Sequence, residues 1–187
     1  MRFKTPAVIT ATLLLAACNK SSDSVSLKNA QVDQVAAVQK ANQIKPGEWE
    51  VTAEVVKQET TGGPPALANM PKAPPTTLKV CITPEQASKP DAMFGKGMEQ
   101  FKKSCIYDKF EMANGSMSAE MHCDLAGGPK LKSSTSGTFS DTAMSTEGKS
   151  EVTMPGGMTM KSETKMTAKR LGECQPGDQQ PGVPKAG

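Results

Sequence analysis

Apolar and polar residues alternate with a period of two through most of the chain, and this alternation restricts the fold more than any other feature of the sequence. Successive side chains of a β-strand point to opposite faces of its sheet, whereas the side chains of a helix return to the same face about every 3.6 residues. The pattern therefore predicts antiparallel strands with one buried and one solvated face. The first such strand follows Pro46-Gly47: apolar Trp49, Val51, Ala53 and Val55 alternate with polar Glu48, Glu50, Thr52 and Glu54.

The clearest hairpin signal is Asn114-Gly115, which lies between two alternating segments. Both residues tolerate positive φ, so this dipeptide favours a two-residue type I′ turn that matches the twist of the flanking strands. Such a turn places six apolar side chains on one face of the hairpin: Ile106, Phe110, Met112, Met117, Ala119 and Met121. Alternation elsewhere predicts strands at residues 77–82, 131–139, 144–154 and 158–168, with Gly156-Gly157 as a second turn.

These segments predict a mainly β domain, built as an antiparallel meander sheet of about seven strands that is partly closed or barrel-like. Hydrophobic residues make up only 36% of the chain, so the core that this sheet can bury is thin. Residues 84–103 indicate a short helical excursion over the sheet. Residues 27–44 have a weakly helical spacing, and a short helix and an unstructured tether are equally good interpretations of them.

The distribution of apolar residues also predicts how the chain is organised. Segments with too few apolar side chains to offset the entropy of ordering the backbone are expected to be disordered, namely residues 19–26, 59–76 and 175–187. The predicted organisation is a lipoprotein signal peptide at 1–17, a lipidated cysteine and tether at 18–44, a disulfide-bonded β domain at 45–174 and a disordered tail at 175–187.

The N-terminal residues resemble a bacterial lipoprotein signal. Arg2 and Lys4 form a positive n-region, and residues 7–15 form an apolar h-region that is too short to span a bilayer. Leu15-Ala16-Ala17-Cys18 has the form of a lipobox, in which the Cys18 sulfur receives the diacylglycerol; an ordinary secretory signal with an incidental cysteine is the alternative. We expect lipid attachment at Cys18 and a membrane anchor without a transmembrane helix. Asn19 rather than an aspartate follows the anchor, which in the sorting pattern of enterobacterial lipoproteins favours the outer membrane, with the domain facing the periplasm.

Charge and motif content argue against two large functional classes. The formal net charge is only +3, and Arg2 and Lys4 in the predicted signal peptide contribute to it, so a nucleic-acid-binding surface is not expected. The single histidine, His122, lies at a polar position of its strand, and the sequence contains neither a Gly-x-Ser-x-Gly nucleophile motif nor a phosphate-binding glycine-rich loop. We therefore predict no catalytic residue, no metal site and no cofactor.

The expected role is that of a non-enzymatic binding or structural module in the cell envelope. Its predicted partners are the membrane, through the lipid anchor, and an envelope protein or a small apolar ligand. A carrier function is one alternative, because small residues on the apolar face would leave space inside a curved sheet: Ser133, Thr135, Gly137, Thr146 and Gly148. Trp49 is expected in the core rather than as a ligand-stacking platform.

Methionine-based copper binding is the other alternative. Thioether sulfur is a soft ligand that suits Cu(I), and Met158-x-Met160 has the spacing of methionine-rich copper sites. Met117, Met121 and His122 lie on another predicted strand, which can be near. The competing interpretation assigns the same methionines to the core, where this flexible side chain fills irregular gaps.

Four cysteines follow Cys18, and an even number in an exported protein predicts disulfides rather than redox or metal chemistry: Cys81, Cys105, Cys123 and Cys174. A two-residue turn at Asn114-Gly115 places Cys105 opposite Asp124 and on the face opposite to Cys123. The pairing that this register favours is Cys81–Cys105 with Cys123–Cys174. A three-residue turn would shift the register by one residue and allow a Cys105–Cys123 bridge instead.

Four short motifs occur in a fixed order along the chain: Lys45-Pro46-Gly47-Glu48-Trp49-Glu50, then Val80-Cys81-Ile82-Thr83-Pro84-Glu85-Gln86-Ala87, then Cys105 and Cys123 around a turn, and finally Arg170-Leu171-Gly172-Glu173-Cys174. Together they resemble the bacterial envelope family catalogued as domain of unknown function 3617, over residues 45–174. That family has no established activity, cofactor or catalytic residues to carry over. The resemblance implies an exported, β-rich domain with paired cysteines.

Substitution Cys18→Ser removes the sulfur to which the predicted lipid is attached. We expect unprocessed precursor to accumulate and labelling by a fatty-acid probe to be lost, which gel mobility and the label measure. Unchanged labelling and unchanged membrane partitioning of the Cys18→Ser protein would contradict the lipoprotein prediction.

Overall fold

The computed structural model describes residues 24–39, 44–68, 71–88 and 98–176. The strands in these ranges are β1 (Val25–Gln31), β2 (Gly47–Thr61), β3 (Thr76–Ile82), β4 (Cys105–Ala113), β5 (Ser116–Asp124), β6 (Lys130–Phe139), β7 (Ala143–Thr153) and β8 (Thr159–Gly172). The helices are α1 (Val32–Gln39), α2 (Pro65–Ala68), α3 (Pro84–Ser88) and α4 (Met98–Ser104). None of the helices in the described ranges has the length and hydropathy of a membrane-spanning segment.

All the described strands belong to one antiparallel sheet with the order β1-β4-β5-β6-β7-β8-β2-β3. The predicted mainly β, antiparallel fold is therefore confirmed, and β4 to β8 form the expected meander. The sheet is 8-stranded rather than about seven-stranded, and it does not close into a barrel. It stays open because β1 and β3 lie at opposite edges and do not pair with each other.

The position of β3 departs from the predicted meander. β2 pairs with β3 through Trp49↔Val80 and, on its other side, with β8 through Val51↔Ala168. β2 has 15 residues and β8 has 14, so their pairing satisfies a long run of backbone groups. A meander would place β3 beside β4, but this long pairing displaces β3 to the edge of the sheet.

β1 is a strand that the alternation did not predict. Val25–Gln31 pairs with β4 and extends the sheet by one strand at its edge. The period of two breaks at Asn29, whose φ of 49° lies in the left-handed region, so that Leu27 and Ala30 both face the core. The expected disorder of residues 19–26 is therefore wrong where β1 begins.

Side chains cap the helices that the sequence anticipates. At α1 the amide of Gln31 donates a hydrogen bond to Gln34 Oε1 at 2.8 Å. At α3 the amide of Thr83 donates to Gln86 Oε1 at 2.9 Å, and the amide of Gln86 donates to Thr83 Oγ1 at 3.2 Å, which is the reciprocal arrangement of a capping box. α3 and α4 confirm the short helical excursion, and residues 89–97 between them lie outside the described ranges.

The segment 59–76 is more ordered than predicted. β2 continues to Thr61, α2 follows, and β3 begins at Thr76. The extension of β2 occurs because β8 supplies pairing partners as far as Thr61↔Thr159. The other predictions of disorder, for residues 19–23 and 177–187, lie outside the described residues and stay predictions.

The core lies on one face of the sheet, which we call the apolar face. Trp49 is 2% exposed and packs against Val80 of β3 and Ala168 of β8. Its indole Nε1 donates a hydrogen bond to the Lys45 carbonyl at 3.0 Å, which satisfies the one polar atom of this buried ring. Trp49 is a core residue, as predicted. A second cluster around the buried Phe110 joins α1 and β1 to β4.

The predicted hairpin turn is confirmed. Asn114 and Gly115 have φ values of 51° and 72°, and positive φ at both central residues is the requirement of a type I′ turn. Next to the turn the strands follow the predicted register, with Met112 opposite Met117. The turn chemistry therefore sets the local pairing as expected.

A β-bulge farther along this hairpin decides which cysteines meet. Asp108 is an extra residue on β4, between Tyr107 and Lys109, and it shifts the register by one. Beyond the bulge Cys105 lies directly opposite Cys123, and the two form a disulfide with Cα atoms 4.0 Å apart. The expectation that these two cysteines lie on opposite faces is therefore wrong, although the predicted turn is right.

The other disulfide joins Cys81 to Cys174, so both predicted bridges, Cys81–Cys105 and Cys123–Cys174, are wrong. Cys81 is far from Cys105 because β3 lies at the edge beyond β2. Cys81 and Cys174 instead approach each other across the start of β2, where Glu48 pairs with Cys81 on one side and with the last residue of β8 on the other.

Deletion of Asp108 removes the bulge and leaves the register on both sides of it unchanged. We expect the Cys105–Cys123 bridge to form in the deletion variant, because Tyr107 then lies opposite Met121 without an extra residue. Non-reducing peptide mapping measures the pairing. A peptide that links Cys105 to a cysteine other than Cys123 in this variant would contradict the prediction. It would mean that the pairing depends on Asp108 itself and not on the register of the two strands.

Candidate functional site

The face opposite the apolar face carries a groove with a volume of about 820 Å³. Six adjacent strands contribute its lining, from β4 at one wall to β2 at the other. Its long ionisable side chains occupy the strand positions that alternate with the core positions, and we call this side of the sheet the charged face. The ionisable side chains of the groove are Lys57, Glu59, Asp108, Glu120, His122, Lys132, Lys149, Glu151, Lys161 and Glu163.

Three ion pairs, which we call the ion-pair ladder, cross from β7 to β8 on the charged face. The nitrogen–oxygen distances are 2.9 Å for Glu147 and Lys165, 3.6 Å for Lys149 and Glu163, and 3.3 Å for Glu151 and Lys161. Each pair joins residues that are directly opposed in the register, and the sign of the charge alternates along both strands. The ladder therefore balances the charge on this side of the groove.

The ladder arises from complementary charge patterns in one hairpin. Residues 147–151 read Glu-x-Lys-x-Glu and residues 161–165 read Lys-x-Glu-x-Lys. A shift of one residue moves every side chain to the other face, and a shift of two residues opposes like charges. Only one register therefore opposes unlike charges at every step. The sequence analysis did not predict this ladder. The complementary patterns on either side of a glycine turn were the signal that could have found it.

The opposite wall of the groove holds the single histidine. His122 Nδ1 lies 2.9 Å from Asp108 Oδ1, and the bulge brings this carboxylate onto the charged face. His122 is exposed, which agrees with its predicted polar position. Among the residues that the structure describes, the polar contacts of His122 are to the two carboxylate oxygens of Asp108, at 2.9 Å and 3.0 Å.

Two charges of the groove make no ion pair within the described ranges, Lys132 and Glu120. Lys132 pairs with His122 across the β5–β6 ladder, and Glu120 pairs with Ser134. The lysine and the glutamate therefore lie on a diagonal, with Cβ atoms roughly 7 Å apart. A ligand that carries both signs of charge can pair with both.

A smaller cavity of about 260 Å³ continues the groove along the strands. Both cavities are lined by Glu120, Ser134, Lys149 and Glu163, so they form one trough. The smaller one extends the trough to the last pair of the ladder.

Hydrogen bonds shift pKa values on the charged face away from neutrality. Glu59 raises the pKa of Lys57, and Lys57 lowers the pKa of Glu59, in both cases mainly through their hydrogen bond. The hydrogen bond to Glu147 likewise raises the pKa of Lys165. A general acid or base works best with a pKa near the operating pH. These shifts keep Lys57, Glu59 and Lys165 charged at neutral pH.

The register separates the methionines that the copper hypothesis placed together. Met121 is on β5 and Met160 is on β8, three strands apart, which is roughly 14 Å at about 4.8 Å per strand. Met121 packs near the Cys105–Cys123 bridge on the apolar face, whereas His122 points to the charged face. Met121 and His122 therefore do not form one site with the methionines of β8.

Of the small residues of the carrier hypothesis, Ser133 lines the groove, and Thr135 and Gly148 line the smaller cavity that continues it, whereas Gly137 and Thr146 line neither. Thr146 is buried, and a Cβ atom on Gly137 would collide with the Ser145 carbonyl of the neighbouring strand. Gly137 therefore permits close approach of two strands rather than lining space for a ligand.

Cys18, the predicted lipid-attachment residue, lies outside the described residues.

The chain is similar to one described protein family. The family model "Protein of unknown function (DUF3617)" matches residues 44–174. A search of the curated proteins finds no match. Among solved structures, the chain is similar to one titled "Monomer form of M.tuberculosis PknI sensor domain", with 11% sequence identity and a TM-score of 0.29, over 74% of this chain and 97% of that chain.

Substitution Glu59→Gln tests the ion pair at the β2 wall of the groove. The pKa of Glu59 is lowered in the folded protein, so its contribution to stability is present above the unfolded pKa and is lost as pH falls through the folded pKa. We expect the free energy of unfolding to fall more steeply in the wild type than in Glu59→Gln from about pH 5 to about pH 3. Denaturant titrations at each pH measure both slopes, and equal slopes would contradict this role.

Proposed function

We propose that the chain, which belongs to the family described as Protein of unknown function (DUF3617), is a lipid-anchored, non-enzymatic binding module of a bacterial cell envelope, and that its ligand site is the groove on the charged face. The family match over residues 44–174 contains all six strands that line the groove. The groove is therefore a feature of the family domain and not of the segment before it.

The observation that carries the proposal is a groove of ligand size with two uncommitted charges. Its volume of about 820 Å³ lies within the range of small-molecule sites, roughly 300–1,000 Å³. Most of its charges are satisfied by the ladder and by neighbouring pairs, so they shape the groove without requiring a ligand. Lys132 and Glu120 make no such pair in the described part of the chain, and they provide one cationic and one anionic contact.

The chemistry of the groove supports binding rather than catalysis. A hydrolytic site needs a nucleophile hydrogen-bonded to its base, and the described contacts of His122 are to Asp108 alone. The pKa values of Lys57 and Glu59 move away from neutrality. Both features favour fixed charges that recognise a polar, mixed-charge ligand.

The lipobox at Cys18 supports the location, and the start of β1 limits the distance from the membrane. Six residues separate Cys18 from Val25, the first residue of β1. A fully extended chain gains at most about 3.6 Å per residue, so the sheet edge stays within roughly 25 Å of the lipidated sulfur. The groove is then held close to the membrane surface, within reach of ligands in the periplasm.

The test is an amide chemical-shift titration of the full chain in detergent micelles with the zwitterionic tripeptide lysyl-glycyl-glutamate. We expect shifts confined to β4–β8 and β2 at the groove. The double variant Glu120→Gln with Lys132→Gln should weaken binding at least about tenfold, because two charge-assisted contacts of roughly 1.5 kcal/mol or more are lost.

The matched control is the double variant Lys28→Gln with Glu50→Gln, which removes one charge of each sign outside the groove lining. It should bind the tripeptide as the wild type does. No shifts at the groove in the wild type, or equal weakening in both double variants, would overturn the proposal.

A further inference from the structure

Three methionines lie together at the tip of the β7–β8 hairpin. The register pairs Val152 with Met160 and Thr153 with Thr159, and its continuation places Met154 opposite Met158. The Met154 amide donates a hydrogen bond to the Met158 carbonyl at 2.8 Å, which confirms that these two residues face each other. Met158 and Met160 are two residues apart and so lie on the same face of the sheet.

The tip that carries these methionines has a defined conformation. Pro155-Gly156-Gly157 forms the turn, with φ values of 98° and 90° at the two glycines, and the Gly157 amide donates to the Met154 carbonyl at 3.1 Å. The end of β2 packs against it, because a Cβ atom on Gly62 would collide with the Gly157 carbonyl. The backbone that carries the three thioethers is therefore held in place before any ligand binds.

Core packing does not account for this group. Met112, Met121 and Met144 belong to the hydrophobic clusters of the sheet or pack against them, whereas Met154, Met158 and Met160 take part in none of the clusters formed by the described residues. Met154 is 37% exposed and the other two are half-buried. A flexible side chain that lies outside the buried clusters and reaches solvent is available as a ligand.

We propose that Met154, Met158 and Met160 form a Cu(I) site through their thioether sulfurs. Soft thioether ligands select Cu(I) over the harder divalent ions. Directly opposed residues have Cβ atoms about 5 Å apart and diagonal ones about 7 Å apart, and three rotatable bonds in each side chain allow the sulfurs to converge. The four cysteines of the described domain are held in disulfides and provide no competing thiolate.

This site is independent of the groove and has its own signature. It lies on the apolar side of the hairpin tip and uses none of the residues that line the groove. Thioethers do not titrate, whereas cysteine, histidine and carboxylate ligands must lose a proton before they bind a metal. Cu(I) affinity at this site is therefore independent of pH across the range in which histidine and carboxylates titrate.

The test is competition for Cu(I) between the untagged full chain in detergent and the colorimetric chelator bicinchoninate, at pH 7 and at pH 4.5. We expect one bound Cu(I) per chain with the same affinity at both pH values. The double variant Met154→Leu with Met158→Leu should bind Cu(I) at least roughly 10–100-fold more weakly. Loss of an outer-shell partner alone costs a metal site that much affinity, and here two direct ligands are removed. Leucine conserves volume, and a thermal melt of the variant establishes that it is folded.

The matched control is Met117→Leu with Met121→Leu, two methionines on β5, which is two strands from β7 and three from β8. It should retain wild-type affinity. Three results would overturn the proposal: no competition by the wild type, equal loss in the two variants, or an affinity that falls at pH 4.5 as a histidine or carboxylate ligand requires.

Discussion

The long pairing of β2 with β8 is the constraint on which the rest of the structure depends. It joins the first and last strands of the family domain and displaces β3 to the edge. It brings Cys174 to Cys81 across β2, where a disulfide closes the domain. The same register sets Lys57 opposite Glu163 and Glu59 opposite Lys161, so β2 becomes a wall of the groove. The strand order, the Cys81–Cys174 disulfide and the β2 wall of the groove therefore all depend on the pairing of β2 with β8.

Much of the local structure could be predicted from the sequence, because alternation and turn chemistry act between near neighbours. The strands from β2 to β8 and the Asn114-Gly115 turn follow from these rules. The predictions failed where one residue departs from the pattern or where distant segments pair. Asn29 breaks the alternation of β1 by its left-handed backbone, and Asp108 inserts a bulge that no composition rule marks. The strand order depends on contacts between segments more than 100 residues apart, such as Glu48 and Gly172, which a local pattern cannot encode.

The candidate sites show the same division. The charged residues of the groove are evident in the sequence, but their arrangement is not, since the walls come from β4 and β2 and only the sheet places them around one trough. The methionine pattern identified Met158 and Met160 as soft donors. The residue that the fold brings to them is Met154, through the register of a tight turn, rather than Met117 or Met121. The residue types indicated which side chains could act as ligands, whereas the strand register determines which of them lie together.

β1 has a consequence for how the domain behaves beside other chains. The family match begins at residue 44, so β1 and α1 precede the family domain, and β1 pairs with the edge of β4. Without β1, β4 would present a row of unpaired amides and carbonyls to any passing strand, the usual starting point of edge-to-edge aggregation. At the opposite edge, Pro74-Pro75 precedes β3 and Lys79 is tied to Glu48, two devices that discourage strand addition. β1 therefore occupies the edge of β4 at which a strand of another chain would otherwise add, and leaves as the outer edge a short strand that the left-handed backbone of Asn29 interrupts.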